Sequence, residues 1–144
     1  MLYVATAEIR DQEMAARVKK HQQVRGERWH SLEEPVALAE RIPLVASSCS
    51  AILIDCLTLW LSNLLEKFGD DEVSIQQEAE TLIRSLNRLD ATIYIVSNEV
   101  GSGIVPENRL ARAFRDLAGL INQQFAAAAD EAWLVVSGLP LQLK

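Results

Sequence analysis

Residues 51–55 read Ala-Ile-Leu-Ile-Asp, and residues 92–97 read Thr-Ile-Tyr-Ile-Val-Ser. Each is a short apolar run rich in β-branched side chains, the pattern of a strand buried inside a sheet. Leu2–Thr6 and Ala132–Ser137 have the same character. Between these runs, apolar residues recur at helical spacing. Asp11–Gln23 reads as a helix capped by Asp11, with Met14, Ala15 and Val18 as its apolar stripe. Thr58–Lys67 carries Trp60, Leu61, Leu64 and Leu65 on one side, and Val73–Leu89 carries Ala79, Leu82, Ile83 and Leu86. Asn108–Ala128 is a helix through Leu110, Phe114, Leu117, Ile121 and Phe125. Val24–Glu34 is a loop with room for a short strand. Pro35 suits the first turn of a helix that ends near Pro43. Gly138 and Pro140 end the last strand. Four buried strands alternating with helices specify an α/β fold of three layers, with a mostly parallel sheet covered on both faces.

The 144 residues are enough for one domain, 1–144, with one core. Hydrophobic residues make up 49% and charged residues 24%, which fits a globular chain. No apolar run approaches the length of a membrane span. A net charge of −6 argues against nucleic acid or an anionic membrane as partner, but not against one nucleotide in a locally basic pocket. Cys49 and Cys56 lack metal-ligand spacing and read as reduced, buried thiols. No basic region precedes the apolar run at Leu2, so a cytoplasmic location is expected.

In parallel sheets, ligands bind beyond the carboxyl ends of the strands. Four segments there carry candidate chemistry. Ala5-Thr6-Ala7 is small enough for a ligand to approach the backbone, although a plain strand-to-helix turn looks the same. Asp55 ends a fully apolar strand, where an acid is costly unless it is paired, bound to Mg²⁺ or capping a helix. His21 sits in Lys-Lys-His-Gln-Gln-Val-Arg (19–25), a basic setting that attracts polyphosphate. A neutral imidazole is a competent nucleophile toward phosphorus, while a solvated histidine near the end of a basic helix is the plainer alternative. Asn98-Glu-Val-Gly-Ser-Gly (98–103) is a glycine-bearing loop, a weak pattern by itself. Arg109, Arg112 and Arg115 recur at helical spacing, as on a solvated face. Glu33 alone is an acid before a helix. No GxxxxGK[ST] loop occurs in the 144 residues.

The order of these parts is more specific than any one of them. Ala-Thr-Ala-Glu-Ile-Arg-Asp-Gln-Glu-Met-Ala-Ala-Arg (5–17), His21 with Arg25 and Trp29, Ile-Leu-Ile-Asp-Cys-Leu-Thr-Leu-Trp-Leu-Ser-Asn (52–63) and Val-Ser-Asn-Glu-Val-Gly-Ser-Gly-Ile-Val-Pro-Glu-Asn-Arg-Leu-Ala-Arg (96–112) resemble the bifunctional adenosylcobinamide kinase/adenosylcobinamide-phosphate guanylyltransferases of cobalamin biosynthesis. The stretches at 116–123 and 132–140 extend the likeness over nearly the whole chain.

This resemblance implies a P-loop NTPase (RecA-like) sheet whose first strand and phosphate loop would precede Leu2. It implies phosphorylation of adenosylcobinamide by ATP or GTP, then GMP transfer from GTP to adenosylcobinamide phosphate. The catalytic residue would be His21, through a covalent histidine–GMP intermediate. The GTP site would comprise Ala5, Thr6, Ala7, Gln22, Gln23, Val24, Arg25, Glu33 and Asp55, with Asp55 as the Mg²⁺ partner. Asp55 stands where the family often has Glu, and Gly26 where it commonly has proline. A homotrimer is implied as well. Lacking the phosphate loop, the 144 residues alone are expected to be poorly active or inactive in both reactions. A non-catalytic α/β binding or assembly module is the alternative, and a P-loop kinase for another small molecule is a third reading.

Overall fold

Hydrogen bonding sorts the strands into two sheets. The structure, a computed structural model, describes residues 1–26 and 28–144, and of Arg17, Val24 and Arg25 the backbone alone. The elements run β1 (Leu2–Ala5), α1 (Gln12–Arg25), β2 (His30–Glu33), α2 (Leu38–Ala46), β3 (Ala51–Asp55), α3 (Leu57–Phe68), α4 (Glu72–Leu86), β4 (Thr92–Val96), α5 (Arg109–Ala128), β5 (Trp133–Val136) and β6 (Leu139–Gln142). They fall into two compact units, Met1–Asn98 and Glu99–Lys144. No helix among the described residues is long and apolar enough to cross a membrane.

The first unit is α/β, with a parallel sheet in the order β2-β1-β3-β4 flanked by helices. A four-stranded parallel sheet is what the sequence leads one to expect, but its fourth member is β2, not the run at 132–137. His30-Ser-Leu-Glu lies at a sheet edge, where a strand needs no continuous apolar run. Leu2, Val4, Ile52 and Ile54 are buried on one face. On the other, Leu53 and Asp55 are half-buried, and Tyr94 and Val96 are exposed. Two-residue alternation therefore gives a sealed apolar face and a partly open one.

Behind the sealed face, α4 packs against α2 and α3. Leu38, Ile42, Trp60, Leu61, Leu64, Ile75 and Leu82 are buried. Each such side chain contributes about 1.5–3 kcal/mol when removed from water. Asp11 caps α1 as expected, accepting from the Met14 amide at 2.7 Å. Helix α2 starts three residues after Pro35 and encloses Pro43, where the sequence suggested an end. Pro43 has no N–H, so the Ala39 carbonyl loses its partner one turn back. The Ser85 hydroxyl of α4 donates to that carbonyl at 2.8 Å, which lets the helix continue.

In the second unit, Asn108 caps α5 by accepting from the Ala111 amide at 3.1 Å. Leu117, Ala118, Ile121 and Phe125 of α5 are buried, whereas Leu110 is exposed. Arg112 donates to the carbonyls of Pro106 and Glu107, and Arg115 to those of Gly101 and Gly103. These two arginines hold the preceding loop, so the solvated face expected of them is corrected. Gly138 lies in the turn that ends β5, as expected, but β5 is not the last strand, and Pro140 lies within β6. Ser137 and Gly138 adopt φ of 52° and 77°, the doubly positive pair that turns a tight hairpin. The chain doubles back into β6, with Pro140 opposite Val135. The Lys144 ammonium donates to the carbonyls of Ala126, Ala127 and Ala129 at the end of α5, favourable for a cation there.

Helix α4 is capped by Asp71, which accepts from the Ser74 hydroxyl at 2.6 Å and the Ser74 amide at 3.1 Å. The Ser74 hydroxyl, then its amide, hold the Asp71 carboxyl below its ordinary range. A carboxyl depressed by folding stabilises above its unfolded pKa, and the effect is lost as pH falls through the folded value. Asp71→Ala is therefore expected to lower the melting midpoint at pH 7. The gap from the unaltered chain should close in melts taken well below the usual carboxylate range.

Candidate active site

The carboxyl ends of the parallel strands finish level with one another. Ala5 of β1 is in register with Glu33 of β2 on one side and Asp55 of β3 on the other, and Asp55 with Val96 of β4. Neighbouring strands stand about 4.8 Å apart, so the two acids flank Ala5 roughly 10 Å from each other. All three side chains belong to the partly open face. Residue size decides what happens there. The methyl group of Ala5 leaves a hollow between two longer acidic side chains.

A cavity of about 320 Å³ opens at this point. Tyr3, Ala5 and Asp55 contribute from the sheet. Met14, Val18 and His21 face it from α1, spaced four and three residues apart and so on one side of the helix. The apolar stripe of α1 thus lines a cavity instead of filling a core. Ala7, Glu33, Cys56 and Asn98 complete the polar and small-residue part of the lining. A larger cavity, about 490 Å³, lies between α2 and α4 against Glu40, Pro43, Arg84 and Arg88. It includes none of the strand-end residues.

Of the residues singled out in the sequence, His21, Ala5, Ala7, Glu33 and Asp55 come together around the smaller cavity. Gln22 stands at its margin and donates to Glu33 Oε1 at 3.2 Å. Gln23, Lys19 and Lys20 are exposed on α1. Val24 and Arg25 are in the last turn of α1, and their side chains lie outside the described residues. Thr6 is fully buried. Its hydroxyl accepts from the Cys56 amide and donates to the Cys56 carbonyl, both at 2.8 Å. Asn63 of α3, also buried, donates to the carbonyls of Thr6 at 2.8 Å and Pro35 at 3.0 Å. Trp60 adds a bond from its indole N–H to the Val36 carbonyl at 2.8 Å. These bonds tie the segments that leave β1, β2 and β3 beneath the cavity.

Tyr3 and Asn98 also line the site. The Tyr3 hydroxyl donates to Asp55 Oδ2. Period-two alternation was the available signal, because Tyr3 precedes Ala5 by two residues and must share its face. The Asn98 amide donates to the Thr58 hydroxyl at 2.8 Å, fixing the end of β4 against α3. At the outer margin Arg10 pairs with Glu66 and with Glu8. Glu66, then Glu8, hold the guanidinium above its usual range.

Among the described residues, no three His, Cys, Asp or Glu side chains form a cluster able to hold a metal ion. The donor set at the strand ends is instead two separated carboxylates, Asp55 and Glu33, one on either side of Ala5. That set suits Mg²⁺, which keeps several waters and is bound through one or two carboxylates plus substrate phosphates.

A parallel α/β sheet with acids at its strand ends, and a histidine-bearing helix beside them, defines a protein that handles a small ligand at its carboxyl edge. More particularly, the chain belongs to the cobinamide kinase / cobinamide phosphate guanyltransferase family, whose model matches residues 1–143. It is 44% identical over 155 aligned positions to the bifunctional adenosylcobalamin biosynthesis protein CobU of Escherichia coli, covering 100% of this chain and 86% of that protein. Identity and coverage are the same for the Salmonella typhimurium protein of that name. The bifunctional adenosylcobalamin biosynthesis protein CobP of Pseudomonas aeruginosa is 42% identical over 142 positions, covering 99% of this chain and 81% of that protein.

Thr6→Val keeps the shape of the side chain but removes the hydroxyl. The Cys56 carbonyl retains the Trp60 amide, while the Cys56 amide loses its hydroxyl acceptor. A buried group left unpaired costs about 1–3 kcal/mol. The expected result is a lower urea midpoint with an unchanged slope, and near-complete recovery in Thr6→Ser.

Proposed function

We propose that this chain carries the cobinamide kinase and cobinamide-phosphate guanylyltransferase chemistry of its family, with His21 as the nucleophile of GMP transfer. The observation that carries this proposal is the meeting of His21, Glu33 and Asp55 around one cavity at the strand ends. They come from α1, β2 and β3, and chain order alone does not require them to meet.

In the proposed reaction, a neutral imidazole nitrogen of His21 attacks the α-phosphorus of GTP. A phosphorus–nitrogen bond forms, the bond to the bridging oxygen breaks, and pyrophosphate leaves with that oxygen's electron pair. A phosphate oxygen of adenosylcobinamide phosphate then attacks the same phosphorus and releases His21. Ala5 and Ala7 let the nucleotide approach the sheet closely. Gln22 orients Glu33 through its hydrogen bond, and Thr6 holds the Asp55–Cys56 segment from beneath. Gln23, Val24 and Arg25 complete the nucleotide site from the end of α1. Asp55 would hold Mg²⁺, which offsets phosphate charge when bound. Phosphorylation of adenosylcobinamide by ATP or GTP needs mainly positioning and charge neutralisation. The amides that cradle β- and γ-phosphates in a GxxxxGK[ST] loop are not supplied by these 144 residues, so low activity is proposed for them in isolation. The sheet is proposed to be of the P-loop NTPase (RecA-like) type, and the protein to assemble as a homotrimer in the cytoplasm.

Incubation with Mg²⁺ and GTP labelled at the α-phosphate tests the assignment. Acid-labile, alkali-stable label in modest yield is expected, absent from His21→Ala. Label that survives His21→Ala would overturn it, as would absence of label that supplying a GxxxxGK[ST] loop ahead of Leu2 fails to restore.

A further inference from the structure

Tyr3 has no part in the chemistry above, yet it is the residue that touches Asp55 most directly. It lies on β1, next to β3, and only 7% of it is exposed. Its ring meets Trp29 edge-on, with centroids 6.3 Å apart and planes at 87°. That packing limits where the hydroxyl can go, and the hydroxyl donates to Asp55 Oδ2. Asp55 lines the cavity together with Tyr3 and Asn98.

We propose that Tyr3 is a positioning residue that makes Asp55 a one-oxygen ligand and so selects Mg²⁺ over Ca²⁺. The inference rests on Asp55 as the metal partner. A carboxylate at a strand end can turn to offer a cation one oxygen or both. With Oδ2 occupied by the Tyr3 hydroxyl, Oδ1 remains as the oxygen offered to a ligand. Mg²⁺ demands near-ideal octahedral geometry, which a single oxygen beside waters and phosphates satisfies. Ca²⁺ accepts six to eight ligands and takes carboxylates through both oxygens readily. A hydrogen bond that blocks two-oxygen binding therefore disfavours the larger ion. The bond also holds the carboxylate in place before the cation arrives, which reduces the ordering cost of binding.

The test measures cation binding, not turnover. Mn²⁺·GTP is titrated into the 144-residue chain and followed by electron paramagnetic resonance, with Mg²⁺ and Ca²⁺ as competitors. Tyr3→Phe keeps the ring and its contact with Trp29, and a melting curve checks that it folds. Tyr3→Phe is expected to bind Mn²⁺·GTP about tenfold more weakly, as befits a lost hydrogen bond to a charged group. Ca²⁺ should gain on Mg²⁺ as competitor, a change that loose packing alone would not produce. Asp55→Asn should abolish specific binding. If Asp55→Asn loses binding while Tyr3→Phe keeps the unaltered affinity and competition ratio, Tyr3 is structural and the proposal fails alone. If Asp55→Asn binds normally, Asp55 is not the metal partner and both readings fall.

Discussion

The Thr6 hydroxyl, bonded to both the amide and the carbonyl of Cys56, is the contact on which the strand-end architecture depends. It lies where β1 and β3 both turn outward. Parallel strands cannot be joined by short turns, so every strand end feeds a long connection with its own unpaired backbone groups. Left alone, these connections would diverge. Thr6 joins the first and third. Asn63 joins the first to the segment after β2, and Trp60 reaches that same segment one residue further on. The cavity above is held by its floor, which explains how short loops with small residues keep the two acids level.

The sealed face of the sheet supplies the stability and the partly open face carries the candidate site. Leu2, Val4, Ile52 and Ile54 belong wholly to the first. Tyr3, Ala5, Leu53 and Asp55 belong to the second, where polarity rises toward the strand ends. One strand of four or five residues thus serves both needs because its side chains alternate. Alternation lets Asp55 sit in half-buried surroundings while its neighbour Ile54 is fully buried. The acid reaches the cavity without crossing the core.

Much of this was legible in the sequence. The runs at 51–55 and 92–96 announce parallel strands because their apolar content is continuous. The cap at Asp11 announces a helix start because its side chain mimics a backbone acceptor. The strand His30–Glu33 was obscured, since an edge strand with one neighbour carries polar residues that look like a loop. Pro140 misled for a related reason. In a two-stranded hairpin, proline is tolerated where it would break a central strand. Pro43 misled because the group that rescues its helix lies on another helix. In the site, only the family resemblance joined His21, Glu33 and Asp55; their individual chemistry does not require them to meet, because meeting depends on the order in which the strands pair. Tyr3 was hidden in an apolar run, where an aromatic ring reads as core until its hydroxyl has a partner. Arg112 and Arg115 looked like a solvated stripe because their acceptors are loop carbonyls, which leave no trace in side-chain identity.

The hydroxyl bridge from Ser85 to Ala39 also bears on how this sequence can drift. Proline at position 43 is tolerable only while position 85 supplies a donor, and a donor at 85 has little to do once residue 43 regains its own N–H. The two sites, far apart along the chain, are coupled through that bond. A lineage that replaces Pro43 frees position 85 to change, while one that loses Ser85 first must pass through a less stable intermediate. The stability cost of changing either position thereby rests on a single contact between α2 and α4.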